Sequence, residues 1–314
     1  MRKRSLDMVY ELAQRDERVV FIGSDLSPGL LGEMKKAYPQ RYFMEGIAEA
    51  NIIGMAAGMA MEGFIPYVNT IATFITRRCY EQVALDLCLH DLPVRLIGNG
   101  GGYVYAPLGP THQAIEDLAI MRALPNMTVT AVCDAEEMTR LMNASLAWPH
   151  PIYIRLAKGG DPVVSRPEHG FAIGKAIDMN VGAGGAAQVL LVTTGVATAA
   201  ALEACEGLAG RGVRCRLLHV HTVKPLDADA IVAAAQGVRL VVTVEEHSVV
   251  GGLGSAVLEA LADAGEALPR VRRLGIGDEF AHHYGSQKDL MDVWGINAEG
   301  IARAVADGLG PARP

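Results

Sequence analysis

Short apolar runs alternate with segments of helical periodicity along this chain, and this alternation leaves few folds open to it. The first series is VVFIGSDL from Val19, IPYVNTIATF from Ile65, PVRLIGNGG from Pro93, MTVTAV from Met127 and PIYIRLA from Pro151. The second series is VLLVTTG from Val189, VRCRLLHV from Val213, RLVVTVEE from Arg239 and VRRLGI from Val271, before a final helix near residues 298–306. Strands that alternate with helices predict mainly parallel sheets covered by helices on both faces.

The two series are separated by a segment with a different composition. Residues 158–188 are rich in glycine and proline, as in KGGDPVVSRPEHG and NVGAGGAAQ, which indicates a linker. We therefore predict an α/β protein of two domains, residues 1–175 and residues 185–314, each with a mainly parallel sheet between two helical layers.

Composition and charge exclude several classes of protein. The 314 residues are half hydrophobic, enough for two cores. The 28 basic and 35 acidic residues give a net charge of −7 without a long basic run, so we expect no nucleic-acid partner. The five cysteines are scattered without a C-x-x-C pair, which predicts neither disulfides nor a zinc site from spacing alone. We see no signal peptide and no membrane span, and expect a cytoplasmic protein.

Several motifs of known chemistry fail or remain weak. The glycine-rich turns GNGGGY and GGLGSAV do not complete the dinucleotide pattern G-x-G-x-x-G, because Tyr103 and Val257 occupy the third small position. His219 and His221 in HVHT could begin a metal site, but the sequence implies no third ligand and a structural role is favoured. We assign no metal ligand to this chain.

The stretch GIAEANIIGMAAGMA places one carboxylate, Glu49, at the head of a run of small and apolar residues. If residues 48–61 form a helix, Glu49 lies in its first turn, where the helix dipole favours an anion. A purely structural role is therefore one interpretation. The other is general acid–base catalysis, since desolvation by apolar neighbours would favour proton sharing with a weakly basic ring nitrogen.

Three further side chains of the same half are candidates for a site. Phe74 and Arg77 in TFITRRCYEQ offer a flat surface and a cation, and His112 in GPTHQAIED lies just before a predicted helix. Each also has a structural interpretation, as a core aromatic, a solvated cation and a capping or core histidine. Their occurrence together with Glu49 in one domain favours a functional site.

These motifs resemble those of the transketolase family of thiamine diphosphate enzymes. The resemblance covers essentially the whole chain and corresponds to the pyrimidine-binding domain followed by the C-terminal domain of that family. It is carried by GSDLSP from Gly23, the Glu49 stretch, TFITRRCYEQ, GPTHQAIEDLAIMRALPNM, TVKPLD from Thr222 and VEEHSVVGGLGSAV from Val244.

The resemblance implies roles for five residues. Glu49 matches the glutamate that hydrogen-bonds the aminopyrimidine ring of thiamine diphosphate, and Phe74 matches the aromatic residue that stacks on that ring. Asp25 matches an acid that lines the cofactor site, and Tyr80 is expected near the pyrimidine. His112 matches a histidine that faces the substrate.

One family motif is missing from this sequence. Transketolases hold the diphosphate through a divalent metal, such as Mg²⁺, bound by a motif that begins Gly-Asp-Gly, and no GDG occurs here. The resemblance therefore implies one subunit of a split transketolase, whose diphosphate and metal site lies on a separate N-terminal subunit. We expect an α2β2 heterotetramer with its active site between subunits.

The substrate-binding residues depart from the family pattern. Arg2 resembles a phosphate-binding arginine, Lys158 replaces another, and Arg77 is a further candidate cation. Leu108 stands where the family has an aspartate that contacts a substrate hydroxyl, and an apolar side chain cannot make that bond. We therefore expect a sugar-type substrate other than an ordinary pentose or hexose phosphate.

The resemblance implies transfer of a two-carbon ketol unit from a ketose donor to an aldehyde acceptor. One alternative is the β subunit of the decarboxylating component of a 2-oxo acid dehydrogenase, which shares the glutamate and the fold. The other is a non-catalytic assembly subunit that has kept the fold. The segment GPTHQAIEDLAIMRALPN favours transketolase.

Overall fold

A computed structural model describes residues 1–26, 29–179, 186–265 and 269–310. Its strands, in chain order, are β1 (Val19–Gly23), β2 (Tyr42–Met44), β3 (Ile65–Ile71), β4 (Arg95–Asn99), β5 (Thr128–Ala131), β6 (Ile152–Leu156), β7 (Ile177–Asp178), β8 (Val189–Thr193), β9 (Cys215–His219), β10 (Thr222–Lys224), β11 (Leu240–Ser248) and β12 (Arg270–Ile276). They form two sheets, as the sequence predicts.

The first sheet has seven strands in the order β10-β5-β6-β4-β3-β1-β2, and all pairs are parallel except β10 with β5. Its central strands β1, β4 and β6 are buried along their whole length. Burial on both faces explains why these strands read as continuous apolar runs rather than as an alternating pattern. The carboxyl ends of the parallel strands all lie at one edge, where α/β proteins bind ligands.

The second sheet has five strands in the order β12-β11-β8-β9-β7, with only β7 antiparallel to its neighbour. β7 lies inside the predicted linker, and β10, from the second half of the chain, joins the first sheet. Neither strand is predicted from the sequence, nor is β2, because each has only two or three residues, too few for an apolar run of strand length. The division into residues 1–175 and 185–314 remains a prediction, and residue 185 lies outside the described part.

Helices cover both faces of each sheet, which confirms the predicted layers. The α-helices are α1 (Arg2–Arg15), α2 (Gly32–Ala37), α3 (Glu49–Met61), α4 (Tyr80–Gln82), α5 (Asp117–Ala123), α6 (Ala135–Ser145), α7 (Ala197–Ala209), α8 (Ala228–Ala235), α9 (Leu253–Asp263), α10 (Gln287–Val293) and α11 (Ala298–Leu309). In the first sheet, α1 and α6 cover one face, and α3 and α5 cover the other. In the second, α7 and α11 lie opposite α8 and α9.

The helix predicted over residues 48–61 is α3, which begins at Glu49. Its alanines Ala56, Ala57 and Ala60 are buried against the sheet, while Gly54 and Gly58 lie on the exposed side. The helical segments that follow β3 are π-helical over Phe74–Arg78 and Val83–Leu89. Among the described residues, no helix is long and apolar enough to cross a membrane.

Candidate functional site

The predicted site residues gather at the carboxyl edge of the first sheet. Asp25 follows β1, Glu49 follows β2, Phe74 follows β3, and the segment with His112 follows β4. These positions come from four different connections, and the parallel sheet brings them to one edge. The arrangement agrees with the general location of ligand sites in α/β folds.

Glu49 lies in the first turn of α3 and is 2% exposed. Its Oε2 accepts a hydrogen bond from Nη1 of Arg78 at 2.7 Å, and the Arg78 side chain is 44% exposed. The guanidinium carbon of Arg78 also lies 4.2 Å from the ring centroid of Phe74. A buried carboxylate needs such a partner, because an unpaired buried charge is costly.

Arg78 therefore joins the two residues predicted to hold a flat ring. Its guanidinium is planar, donates an N–H to the Glu49 carboxylate and lies over the Phe74 ring. An aminopyrimidine would use the same two contacts, a hydrogen bond to the carboxylate and a stack on the aromatic ring. The geometry of Glu49 and Phe74 thus fits the pyrimidine half of thiamine diphosphate, with the Arg78 guanidinium as a stand-in.

His112 lies beside this group. Its ring centroid is 5.2 Å from that of Phe74, edge to face, and its Nδ1 is 2.9 Å from the hydroxyl of Thr111. His112 is half-buried. Glu49, Phe74 and His112 are therefore brought together as the sequence predicts.

The segment that carries His112 is held from two sides. On one side Gly102 and Ala114 exchange backbone hydrogen bonds of 2.8 and 3.1 Å. On the other side Arg77 forms a two-pronged ion pair with Glu116 and donates to the carbonyl of Gln113 at 2.9 Å. Arg77 thus anchors this segment, and its role as a substrate cation stays a prediction.

Asp25 and Tyr80 lie at the margins. The Asp25 side chain is exposed just beyond β1, and the hydroxyl of Ser24 is 3.4 Å from its Oδ1. Ser27 and Pro28, from the same motif GSDLSP, lie outside the described residues. Tyr80 is half-buried and its hydroxyl donates to the carbonyl of Ile120 at 2.8 Å, so it joins α4 to α5.

The other predicted substrate residues are Leu108, Lys158 and Arg2. Leu108, in the 3₁₀ turn Ala106–Leu108, is 54% exposed. Lys158 follows β6, is exposed and forms no side-chain hydrogen bond or ion pair with the residues the structure describes. A Cβ at Gly159 would lie 3.3 Å from the backbone nitrogen of Met1, so Arg2 and Lys158 belong to one neighbourhood.

The arginine that contacts Glu49 is Arg78, whereas the sequence pattern had pointed to Arg77. A signal was present: Arg78 stands four residues after Phe74, at the spacing that places two side chains on one helical face. Arg77 and Arg78 stand three and four residues after Phe74, and both spacings place two side chains on one helical face. The pattern alone therefore does not show which arginine lies beside Phe74.

Comparisons with known proteins identify the family of this chain. Residues 1–160 match the family "Transketolase, pyrimidine binding domain", and residues 183–301 match "Transketolase, C-terminal domain". The chain is 37% identical over 306 residues to the 6-deoxy-6-sulfo-D-fructose transketolase subunit SqwH of Clostridium sp. (strain MSTE9), covering 97% of this chain and 92% of that one.

Two further proteins show the same relationship. One of the subunits of the apulose-4-phosphate transketolase of Phocaeicola vulgatus is 32% identical over 98% of this chain and 96% of its own. A solved structure described as "Split gene transketolase, inactive beta4 tetramer" superposes with a TM-score of 0.88 and 35% identity, covering 98% of this chain and 97% of that one. The chain therefore belongs to the transketolase family of thiamine diphosphate enzymes and matches split members of that family over nearly their whole length.

Proposed function

We propose that this chain is one subunit of a two-component transketolase that moves a two-carbon ketol unit from a ketose or ketose phosphate donor to an aldehyde acceptor. The observation that carries the proposal is the group of Glu49, Arg78 and Phe74, in which a planar N–H donor already makes the contacts expected of an aminopyrimidine. The relatives named above are transketolase subunits, which favours this activity over that of a 2-oxo acid dehydrogenase.

Thiamine diphosphate, when bound, supplies the nucleophilic carbon to which the two-carbon unit is transferred. In this chain Glu49 would hold a proton at the pyrimidine nitrogen, and Phe74 would support the face of the ring. Asp25 and Tyr80 would line the same site. Arg78 would leave the Phe74 ring to admit the cofactor, which its 44% exposed side chain allows.

His112 would face the substrate. Its ring lies beside Phe74 rather than beneath it, and its backbone is fixed by the bridge between Gly102 and Ala114. A histidine held in this way can exchange a proton with a substrate hydroxyl or carbonyl oxygen at neutral pH.

The site needs a second polypeptide. We propose that a separate N-terminal transketolase subunit carries the diphosphate and Mg²⁺ site, in an α2β2 assembly. The exposed side of α3 supports this, because a Cβ at Gly58 would meet no atom within 4 Å, and Met61, Leu85 and Leu89 are 56%, 50% and 70% exposed nearby. Small residues and exposed apolar side chains on one surface are typical of a protein interface.

The substrate would be a sugar with an altered or anionic end. Leu108 cannot hydrogen-bond a hydroxyl, while Arg2 and Lys158 offer positive charge in one neighbourhood. The named relatives are transketolases of a sulfo-sugar and of apulose-4-phosphate, which agrees with a modified substrate.

The activity is tested with the purified chain and a candidate N-terminal subunit, alone and mixed. The assay follows two-carbon transfer from ketose phosphates to a panel of aldehydes, with thiamine diphosphate and magnesium present. We expect transfer only from the mixture, and its loss in the mixture made with Glu49→Ala. Unchanged turnover of that variant would leave Glu49 with only a helix-terminal role and would favour a non-catalytic subunit.

The proposed interface is tested with Gly58→Leu. The position has open space within the chain, so the variant should fold normally and lose at least tenfold in affinity for the partner subunit. Gly207→Leu is the matched control, because Gly207 is also an exposed helical glycine with open space, on α7. Equal partner affinity of the two variants would exclude this side of α3 from the interface.

A further inference from the structure

A second group of polar side chains lies deep in the protein, away from the site described above. His219, at the end of β9, meets Cys133 and Glu137, which lie just after β5 and in the first turn of α6. One ligand atom from each residue lies within 4.8 Å of the others, and all three side chains are buried. The sequence implied no third ligand for the HVHT pair, because these partners are more than eighty residues away.

The three residues are connected by specific contacts. Nε2 of His219 is 2.9 Å from Oε2 of Glu137, and the same oxygen accepts the backbone N–H of Cys133 at 2.7 Å. The other ring nitrogen of His219, Nδ1, is 2.8 Å from the hydroxyl of Thr198. An outer hydrogen bond of this kind fixes the orientation of histidines that ligate metals.

Two buried polar atoms at this group have no hydrogen-bond partner among the residues the structure describes. They are Oε1 of Glu137 and Nε2 of His221, and both side chains are 0% exposed. The rings of His219 and His221 are 5.9 Å apart. Buried polar atoms are nearly always satisfied in proteins, so unpartnered atoms next to a thiol and an imidazole point to a ligand.

The chemistry of the donors selects the ligand. Zinc binds thiolate, imidazole and carboxylate donors, whereas calcium and magnesium prefer oxygen donors. A divalent cation would also neutralise the carboxylate of Glu137 and give its second oxygen a partner.

We propose that Cys133, Glu137 and His219 bind a structural zinc ion, with the unpartnered Nε2 of His221 as the candidate fourth ligand. Formation of the zinc–sulfur bond releases the thiol proton of Cys133 to solvent. Cys133 and Glu137 belong to the residues matched as pyrimidine-binding domain, and His219 belongs to those matched as C-terminal domain. The ion would therefore link the two domains.

The test uses the full chain expressed in medium supplemented with zinc and, separately, with cobalt, since a buried site is expected to fill during folding. We expect about one zinc per chain by elemental mass spectrometry and at least a fivefold loss in Cys133→Ser and His219→Asn. The cobalt form should show a sulfur-to-metal charge-transfer absorption that Cys133→Ser abolishes. Cys205→Ser is the matched control, because Cys205 is also buried but lies in α7.

Other outcomes overturn the proposal. If wild-type protein contains no zinc, or if Cys133→Ser contains as much zinc as wild type, the three residues do not form a zinc site and Glu137 and His219 are only a buried hydrogen-bonded pair. If a variant fails to fold, the cobalt spectrum of the wild-type chain still decides the question, because absence of the sulfur band excludes Cys133 as a ligand. None of these measurements depends on transketolase activity.

Discussion

Glu246 is the buried acid whose ionisation is expected to control the stability of the domain contact. It lies in β11 and is 2% exposed. Its Oε1 accepts the backbone N–H of Tyr103 at 2.7 Å, and both oxygens are 3.0 Å from Nε2 of Gln287. Tyr103 follows β4 of the first sheet, so this carboxyl joins the two halves of the chain.

Burial raises the pKa of Glu246 from its ordinary value of 4.5 to about 7, against the opposing effect of the nearby Arg155 cation. Between these two pH values the folded chain holds a proton that the unfolded chain has lost. The contribution to stability is therefore complete below about pH 4.5 and is lost as the pH rises through 7. At about 1.36 kcal/mol per pKa unit, the loss is about 3 kcal/mol.

The perturbation is Glu246→Gln, which removes the titration and keeps a neutral side chain of the same shape. Urea unfolding of wild type and variant, followed by tryptophan fluorescence at pH values from 5 to 8, gives the difference in unfolding free energy. We expect the variant to gain about 2.5 kcal/mol relative to wild type between pH 5 and pH 8. Glu203→Gln, on the exposed side of α7, controls for removal of a carboxyl. An identical pH dependence of wild type and Glu246→Gln would show that Glu246 does not titrate with a raised pKa in the folded chain.

Three further changes test the candidate site in the reconstituted complex. Arg78→Ala should tighten thiamine diphosphate binding several-fold, because the guanidinium no longer competes for Glu49; weaker binding, measured by calorimetry beside Arg77→Ala, would contradict this. His112→Ala should lower turnover by about 10²-fold with cofactor affinity nearly unchanged, and a loss confined to cofactor binding would exclude its substrate role. Leu108→Asp should raise the relative rate with ordinary sugar phosphates; unchanged relative rates would exclude Leu108 as a determinant of substrate choice.

Much of the fold follows from the sequence, since apolar runs buried on both faces mark the strands and the helical periodicity marks the layers. The short strands β2, β7 and β10 do not follow, because their position depends on pairing with distant strands rather than on local pattern. β10 illustrates this, since it leaves its own half of the chain to pair with β5.

The candidate site follows from the sequence to a similar extent. Glu49, Phe74 and His112 are found together as expected, because each follows a strand of one parallel sheet. The choice between Arg77 and Arg78 could not be made, because the segment Phe74–Arg78 is π-helical and its rotation is not readable from a helical pattern. The group of Cys133, Glu137 and His219 could not be predicted either, because it forms only where the two domains pack together.

Calorimetric titration with thiamine diphosphate and magnesium shows whether this chain contains only part of a transketolase site. We expect no binding to the purified chain alone and binding once the N-terminal subunit is added. Tight binding to the chain alone would show that the diphosphate site is present here and would contradict the assignment to a split enzyme.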